Sequence, residues 1–514
     1  MANLTPELEL ERKKILQIAK NCGLDCFETV FELINYDQIS QIAAYGGFPV
    51  RYPHWKFGME YEQLSKSYEY GLSKIYEMVI NTDPCYAYLM EGNSMMDQKL
   101  VMAHVYGHCD FFKNNIWFSK TNRKMMDQMA NHATRIRRYS DQYGYDVVEK
   151  FIDTCLSLEN LIDRYSILNG TVEFKSEFKN KKTDLKESEY IFGVNKSYMQ
   201  NYINPPAEIE KQKKIQLEKM QSKTQFPSEP VRDILSFLMH YAPLEEWQQD
   251  VLSIVRDEAY YFAPQGMTKT MNEGWASYWH SHMMTKHILN DSEIIDFADH
   301  HAGTMFMQMG GYNPYKVGIE LMRDIEDRWN KGKFGRDFEE CDDVRERNNW
   351  DKKLNQGREK IFEVRKIYND VTFIDEFLTE DFCVRNKLFV YKLNKKTGKF
   401  EVDTKNFKAI KSQLLFQMTN FGQPIIKIED ANFENRGELL LHHVHEGLDL
   451  QPKYMDESLK NLNKIWKRPV NLVTVMEGEP QMFRFDGEQI TRHNLNAEQN
   501  TENSLQMPLP TQQT

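Results

Sequence analysis

The stretch Ser94-Met-Met-Asp-Gln-Lys-Leu-Val-Met-Ala-His104-Val-Tyr-Gly-His108-Cys-Asp-Phe-Phe-Lys113 decides how the larger, N-terminal part of this chain is read. Ser94 followed by Asp97 resembles a capping box, and apolar residues recur at Leu100, Val101, Val105 and Phe112. This pattern predicts a helix from Asn93 to about Lys113. His104 and His108 stand at i and i+4, one above the other on a single face. Leu100, Val101, Phe111 and Phe112 lie near the same stripe, so both imidazoles are expected to point inward. Such spacing lets two neutral imidazoles converge on one ion, as helical zinc sites do. Two core histidines bonded to their neighbours satisfy the pattern equally well.

A second segment, Met271-Asn-Glu-Gly-Trp-Ala-Ser-Tyr-Trp-His280, reads as the first turns of another helix. Glu273, Ser277, His280, Met284 and His287 share one face at spacings of 4, 3, 4 and 3. A carboxylate flanked by Trp275, Tyr278 and Trp279 is costly to bury alone, and pairing with a cation offsets that cost. His104, His108 and Glu273 are therefore the candidate metal ligands, for Zn²⁺ or Fe²⁺. Asn272-Glu-Gly-Trp-Ala-Ser-Tyr278 also resembles the segment that supplies the third zinc ligand in gluzincin aminopeptidases, where it pairs with a His-Glu-x-x-His helix. Val105 stands where those enzymes carry the general-base glutamate, and the gap from His108 to Glu273 is far longer than theirs.

Valine cannot relay a proton, so a hydrolase here needs another base. Val251 and Val255 put Glu258 on the apolar face of its helix. Ala263-Pro-Gln-Gly266 is expected to turn the chain back so that Glu258 and Glu273 meet across an antiparallel helix pair. Glu258 and His280 are the candidate catalytic residues, with Asp110 and Glu91 as further carboxylates. A partly exposed Glu258 beside Arg256 fits the same pattern.

Other histidines carry less. His300-His301 falls in an expected helix, where surface or capping roles suffice. In a strand His443 and His445 face one way and His442 the other, which argues against a common metal site with Glu446. His54 lies in the loop Tyr45-Gly-Gly-Phe-Pro-Val-Arg-Tyr-Pro-His-Trp-Lys-Phe-Gly58, too rich in Gly and Pro for a helix and aromatic enough to pack. It could cover the cluster, or simply pack there.

Helical periodicity is expected over 4–42, 60–81, 122–142, 146–164, 229–262, 269–289, 292–309, 313–331 and 355–370, with a short strand at Cys85–Met90. Residues 170–225 are Lys- and Glu-rich and poor in aliphatics, which reads as an insertion or linker. After about 380 the texture changes. Phe389–Tyr391, Pro424–Ile428, Glu438–Leu441 and Val470–Thr474 read as strands, with helices at 405–420 and 453–467 between them. The fold expected is a mainly α N-terminal region over 1–375, with a gluzincin-like His/Glu helix arrangement as one reading. A smaller, mostly antiparallel α+β domain follows over 380–494, then a disordered tail over 495–514.

The 514 residues carry a net charge of −11, which argues against binding nucleic acid through backbone charge, although Arg135–Arg138 makes a local basic patch. No apolar run approaches the ~18–20 residues of a membrane span. The N-terminus, MANLTPELELERKK, has no signal core, so a cytoplasmic location is expected. Seven scattered cysteines read as reduced thiols. Cys22 and Cys26 resemble half a metal site that no second pair answers.

Three stretches resemble the SpoVR (stage V sporulation protein R) family. They are Tyr70-Gly-Leu-Ser-Lys-Ile-Tyr with Asn81-Thr-Asp-Pro-Cys-Tyr-Ala-Tyr-Leu-Met-Glu-Gly-Asn-Ser94, His104-Val-Tyr-Gly-His-Cys-Asp-Phe-Phe-Lys-Asn-Asn115, and Glu258 through Asn272-Glu-Gly-Trp-Ala-Ser-Tyr-Trp-His280. Asn313-Pro-Tyr-Lys-Val-Gly-Ile-Glu-Leu and Ile465-Trp-Lys-Arg-Pro-Val-Asn-Leu extend the likeness over nearly the whole chain. The family is bacterial, is named for a role in forming the spore cortex, and also occurs where no spores are made. There it is often encoded beside an AAA-type serine protein kinase and a von Willebrand A-like protein. The resemblance implies a sporulation or stress-response role without an established reaction. His282 replaces a residue expected to be basic, and His442 and His445 look peculiar to this chain.

Three functions compete at this level. One is a metal-dependent amide hydrolase acting on a peptide or peptidoglycan precursor. Another is a non-catalytic regulatory or scaffold protein working with the kinase system. The third is a non-heme iron or two-metal protein with Glu258 as a further ligand; it lacks the Glu-x-x-His pairs of helical di-iron sites.

Overall fold

The helix expected around the two histidines is present as Met95–Asn114 in a computed structural model, which describes residues 4–69, 77–169 and 226–495. In chain order the elements begin with α1 (Pro6–Asn21), β1 (Thr29–Ile34), α2 (Tyr36–Ala44), α3 (Trp55–Glu69), β2 (Glu77–Ile80), β3 (Cys85–Met90), α4 (Met95–Asn114), α5 (Met125–Tyr143) and α6 (Tyr145–Leu156). They continue with α7 (Ile234–Tyr241), α8 (Glu246–Met267), α9 (Lys269–Met283), α10 (Ile294–Thr304), α11 (Pro314–Lys331), α12 (Gly357–Ile367) and α13 (Asp370–Phe377). Then come β4 (Val390–Asn394), β5 (Lys399–Thr404), α14 (Phe407–Met418), β6 (Ile425–Phe433), β7 (Glu438–Val444), α15 (Pro452–Trp466), β8 (Val470–Met476), β9 (Glu479–Phe485) and β10 (Ile490–Asn494). The segment read as an insertion, 170–225, lies outside the described residues, as does the tail from 496. No described helix is long and apolar enough to cross a membrane.

The chain divides into two compact units, Met1–Glu149 with Tyr260–Gln423, and Lys150–Ala259 with Pro424–Thr514. In the first, α4 is the central helix. Every residue from Met96 to Phe112 is buried except Asp97, because the sequence is apolar nearly all round. Two of its buried polar side chains reach partners outside the helix. Gln98 Nε2 donates to the Met90 carbonyl (2.7 Å), and Lys99 pairs with Glu293 (2.8 Å). At its start the Ser94 hydroxyl accepts from Asp97 N–H, the cap that the sequence led us to expect.

A three-stranded sheet, ordered β1-β3-β2, leads into α4. β1 runs parallel to β3 with Thr29 opposite Cys85 and Ile34 opposite Met90, and β2 is antiparallel to β3. This corrects the single helix expected over 4–42. The chain leaves α1 through Gly23 at φ +92°, and the β-branched run Thr29-Val-Phe-Glu-Leu-Ile34 pairs with β3 rather than continuing the helix. Likewise the helix expected over 60–81 does not reach 81: α3 is described to Glu69, and 77–80 is strand. The aromatic loop is present up to His54, but Trp55-Lys-Phe-Gly58 is already the first turn of α3. Phe48 and Tyr52 are buried, and the Arg51 guanidinium sits 4.8 Å from the Phe57 ring centroid.

In the second unit a five-stranded sheet is ordered β10-β9-β8-β7-β6. All its neighbours are antiparallel except β7 and β8, which α15 connects as a crossover. Met455, Leu459, Leu462 and Ile465 give α15 one buried stripe. The helix expected over 229–262 is two helices, interrupted at Ala242-Pro-Leu244, where proline cannot continue the ladder. The second of them, α8, runs through Pro264 to Met267, so the turn expected at 263–266 falls instead at Thr268.

Candidate metal centre

The site depends on how closely three helices of the first unit approach. A Cβ on Gly107 of α4 would stand 2.7 Å from Ala276 Cα of α9. One on Gly274 of α9 would stand 2.5 Å from the Gly318 backbone of α11. Only glycine permits these crossings. Each glycine adjoins a candidate ligand, Gly107 beside His108 and Gly274 beside Glu273, so the close backbones bring the ligands together.

Two buried carboxylates fix α9 along its axis and in rotation. Asp370 accepts from the backbone N–H of Thr270 (2.7 Å) and Met271 (2.9 Å), capping the helix start. Its burial pushes that carboxyl up to about 7, against the pull of those two N–H groups. Asp110 of α4 accepts from Trp275 Nε1 of α9 (2.8 Å) and from Arg365 of α12 (2.5 and 2.6 Å). Burial raises the Asp110 carboxyl while Arg365 holds it down. With its oxygens engaged this way Asp110 is a structural tie between three helices.

Within this frame His104 and His108 are each 4% exposed, and both Nε2 atoms stand 3.5 Å from the same oxygen, Glu273 Oε2. One ligand atom from each of the three residues lies within 4.8 Å of the others. Glu273 Oε2 is buried and accepts no hydrogen bond. His108 Nδ1 is 2.8 Å from Asn272 Oδ1. An amide oxygen only accepts, so the proton is on Nδ1 and the Nε2 lone pair faces Glu273. His104 Nδ1 stands 2.6 Å from His280 Nδ1, so one of that pair donates to the other.

The donor set is two imidazoles and a carboxylate, meeting where a carboxylate oxygen lacks a proton donor. Donors bound to one tetrahedral zinc at ~2.0–2.1 Å stand ~3.3 Å apart, close to the 3.5 Å from each Nε2 to Glu273 Oε2. The residues present fit a divalent transition metal, and Asn272 and His280 contact the two imidazoles where outer partners would orient them on such an ion.

His280, taken from the sequence as a catalytic candidate, is buried against His104, with the His301 ring 5.7 Å away. Glu258 is a buried residue of α8 that belongs to the second unit. Glu91 is exposed, and Val105 is fully buried. His54 is packed among Tyr52, Trp55 and Phe57. His443 is buried and bonded to Thr474, while its neighbours pair elsewhere, His442 with Glu429 and His445 with Asp449.

The face expected to run from Glu273 to His287 is corrected. After Met283 the helix widens into a π turn, Met284–Ile288, and His287 rotates out to the surface. Asn272, Asp370 and Tyr315, whose ring stacks 6.3 Å from that of His104, were not singled out from sequence. Asn272 had a usable signal, since it directly precedes the expected ligand.

The family model described as SpoVR like protein matches residues 3–423, and the one described as SpoVR-like C-terminal domain matches 424–477. Their junction coincides with the return of the chain to its second unit at Pro424. The chain is 28% identical over 490 residues, 89% of its own length and 90% of the other's, to the uncharacterized protein YcgB of Escherichia coli (strain K12). No solved structure matches.

Proposed function

The chain belongs to the SpoVR-like protein family, and from that premise we propose that it works through a divalent-metal site held by His104, His108 and Glu273 and serving amide-bond hydrolysis. The observation that carries this reading is the convergence of both Nε2 atoms on Glu273 Oε2, an oxygen with no hydrogen bond of its own. Bound Zn²⁺ or Fe²⁺ would supply an acidified water and polarise a scissile carbonyl. The chain's own residues do the rest. Asn272 keeps the His108 tautomer, and His280 holds the proton shared at His104 Nδ1, acting as a positioning residue. The Phe112 ring stacks 6.0 Å from that of His108, and the Tyr315 ring 6.3 Å from that of His104, so aromatic surface flanks both imidazoles. The ligand types are those of the gluzincin aminopeptidases, with Val105 where their general base stands; on the sequence alone, Glu258 is our candidate for that role.

The family's name points to sporulation; our proposal places the work in the cytoplasm, in spore-cortex formation or stress response, with a peptide or peptidoglycan precursor as substrate. The deciding experiment is elemental analysis of purified protein. His104→Ala and Glu273→Ala are each expected to carry one equivalent of metal less than wild type. A wild type that carries no metal and takes up none on titration overturns the reading. Glu258→Gln separates roles: retained metal with lost activity makes it the base, and lost metal makes it a ligand.

A second reading rests on Val105. With no carboxylate between the two histidines, the site would be structural and the protein a regulatory scaffold, partnered by an AAA-type serine protein kinase and a von Willebrand A-like protein. Metal present without any hydrolytic turnover, together with co-purification of the kinase, favours it.

A further inference from the structure

A second group of ligating side chains lies away from the buried centre. Cys22, His282 and His287 each offer a ligand atom, and these atoms lie within 4.8 Å of one another. Cys22 is a free thiol at the C-terminal cap of α1. His282 is on the last turn of α9, and His287 is in the π turn that follows. None of the three belongs to the His104/His108/Glu273 set.

The π turn is an independent sign that this grouping is built. In an unbroken α-helix, residues five apart project about 140° from each other and do not meet. Through Met284–Ile288 the hydrogen bonds widen to i→i+5, which carries His287 round toward His282 until the ring centroids are 6.0 Å apart. Such turns are rare and cluster at functional sites. Cys22 is held just as firmly. Its backbone N–H bonds the Ile18 carbonyl, its carbonyl lies 3.5 Å from Arg358 Nη2, and Gly23 after it adopts φ +92°.

We propose that Cys22, His282 and His287 bind a late transition metal, Zn²⁺ by preference, with the fourth position open to solvent. A thiolate with two imidazoles is a soft-to-borderline donor set, suited to zinc or cobalt and poor for Mg²⁺ or Ca²⁺. The charged groups facing His282 are Arg358, Lys286 and Glu326. Arg358 and Lys286 repel all divalent cations alike, so the preference for zinc over hard cations rests on the thiolate and imidazole donors, a set without a carboxylate. Cys22 and His282 are half-buried and His287 is exposed, so a metal here exchanges with solvent more freely than one at the buried centre. Three protein ligands with an open position match a reactive or sensing site more than a closed structural one.

The test is a Co²⁺ titration of the metal-free full-length protein, followed by absorption. A thiolate-to-cobalt charge-transfer band is expected in wild type, absent in Cys22→Ser. In His287→Gln, affinity should fall by at least the ~10–100-fold lost when even an outer partner of a metal site is removed. The exposed His287 makes that variant safe for folding. His104→Ala should keep the band while losing the other equivalent, so failure of the buried centre and failure of this site are told apart. No thiolate band in wild type, or an undiminished band in Cys22→Ser, overturns the proposal.

Discussion

His108 Nδ1 donates to Asn272 Oδ1 across 2.8 Å, and this one bond fixes which nitrogen of His108 faces Glu273. The residue next to one ligand thereby orients another on a different helix. Asn272→Leu removes the acceptor at similar volume. Metal affinity at the buried centre is expected to fall ~10–100-fold, with Asn272→Asp retaining much of it. Chelator competition on both variants checks this; equal affinity in wild type and Asn272→Leu sinks the assignment.

The helix crossings set a sign contrast among glycines. Gly274→Ala forces a methyl into the Gly318 backbone and is expected to destabilise by ~1–3 kcal/mol or more, with loss of bound metal. Gly58→Ala, in α3 with open space around it, should stabilise by ~0.4–1 kcal/mol. Urea melts of the two variants suffice, and the same sign for both would refute the packing argument.

Asp370 ties stability to pH in an unusual direction. Its carboxyl is raised to about 7 by burial, so between about 4 and 7 the folded chain binds more protons than the unfolded one. Stability from this group is therefore greatest below the ordinary carboxylate range and lost as pH rises through about 7. Asp370→Asn should flatten that fall in metal-free protein. Denaturant midpoints measured from pH 5 to 8.5 in both proteins give the difference.

Glu438 predicts the opposite slope in the second unit. Arg484, Arg436 and Asn471 bond its carboxylate and outweigh burial, holding it down to about 2. Stability from this group is present above about 4.5 and lost as pH falls toward 2. Glu438→Gln should remove that acid sensitivity and destabilise by ~1–3 kcal/mol at neutral pH. Fluorescence of Trp466, buried in the same unit, reports the transition.

What could be read from sequence follows the range of the forces involved. The α4 helix was legible because its cap, its length and its apolar pattern are local, and Glu273 because a carboxylate among tryptophans demands a partner. The strands at 425–433, 438–444 and 470–476 were legible for the same reason. β1 was not, since a parallel strand is specified by a partner, β3, that no local pattern names. His287 was misplaced because one π turn shifts every later residue on the face, and nothing in Met-Thr-Lys-His-Ile announces it. Asp370 was invisible as a cap, lying 100 residues from the N–H it accepts.

The same separation has a consequence in time. His108 and Asn272 are 164 residues apart in the chain. At ~5–20 residues per second a ribosome needs roughly 8–30 s to travel that distance. Until then α4, apolar nearly all round, has no α9 to cover it. The nascent chain holds His104 and His108 but not yet Glu273, a half-made cup. On the proposed reading, an ion held by all three side chains can settle only after Glu273 has been added, late in the birth of the protein.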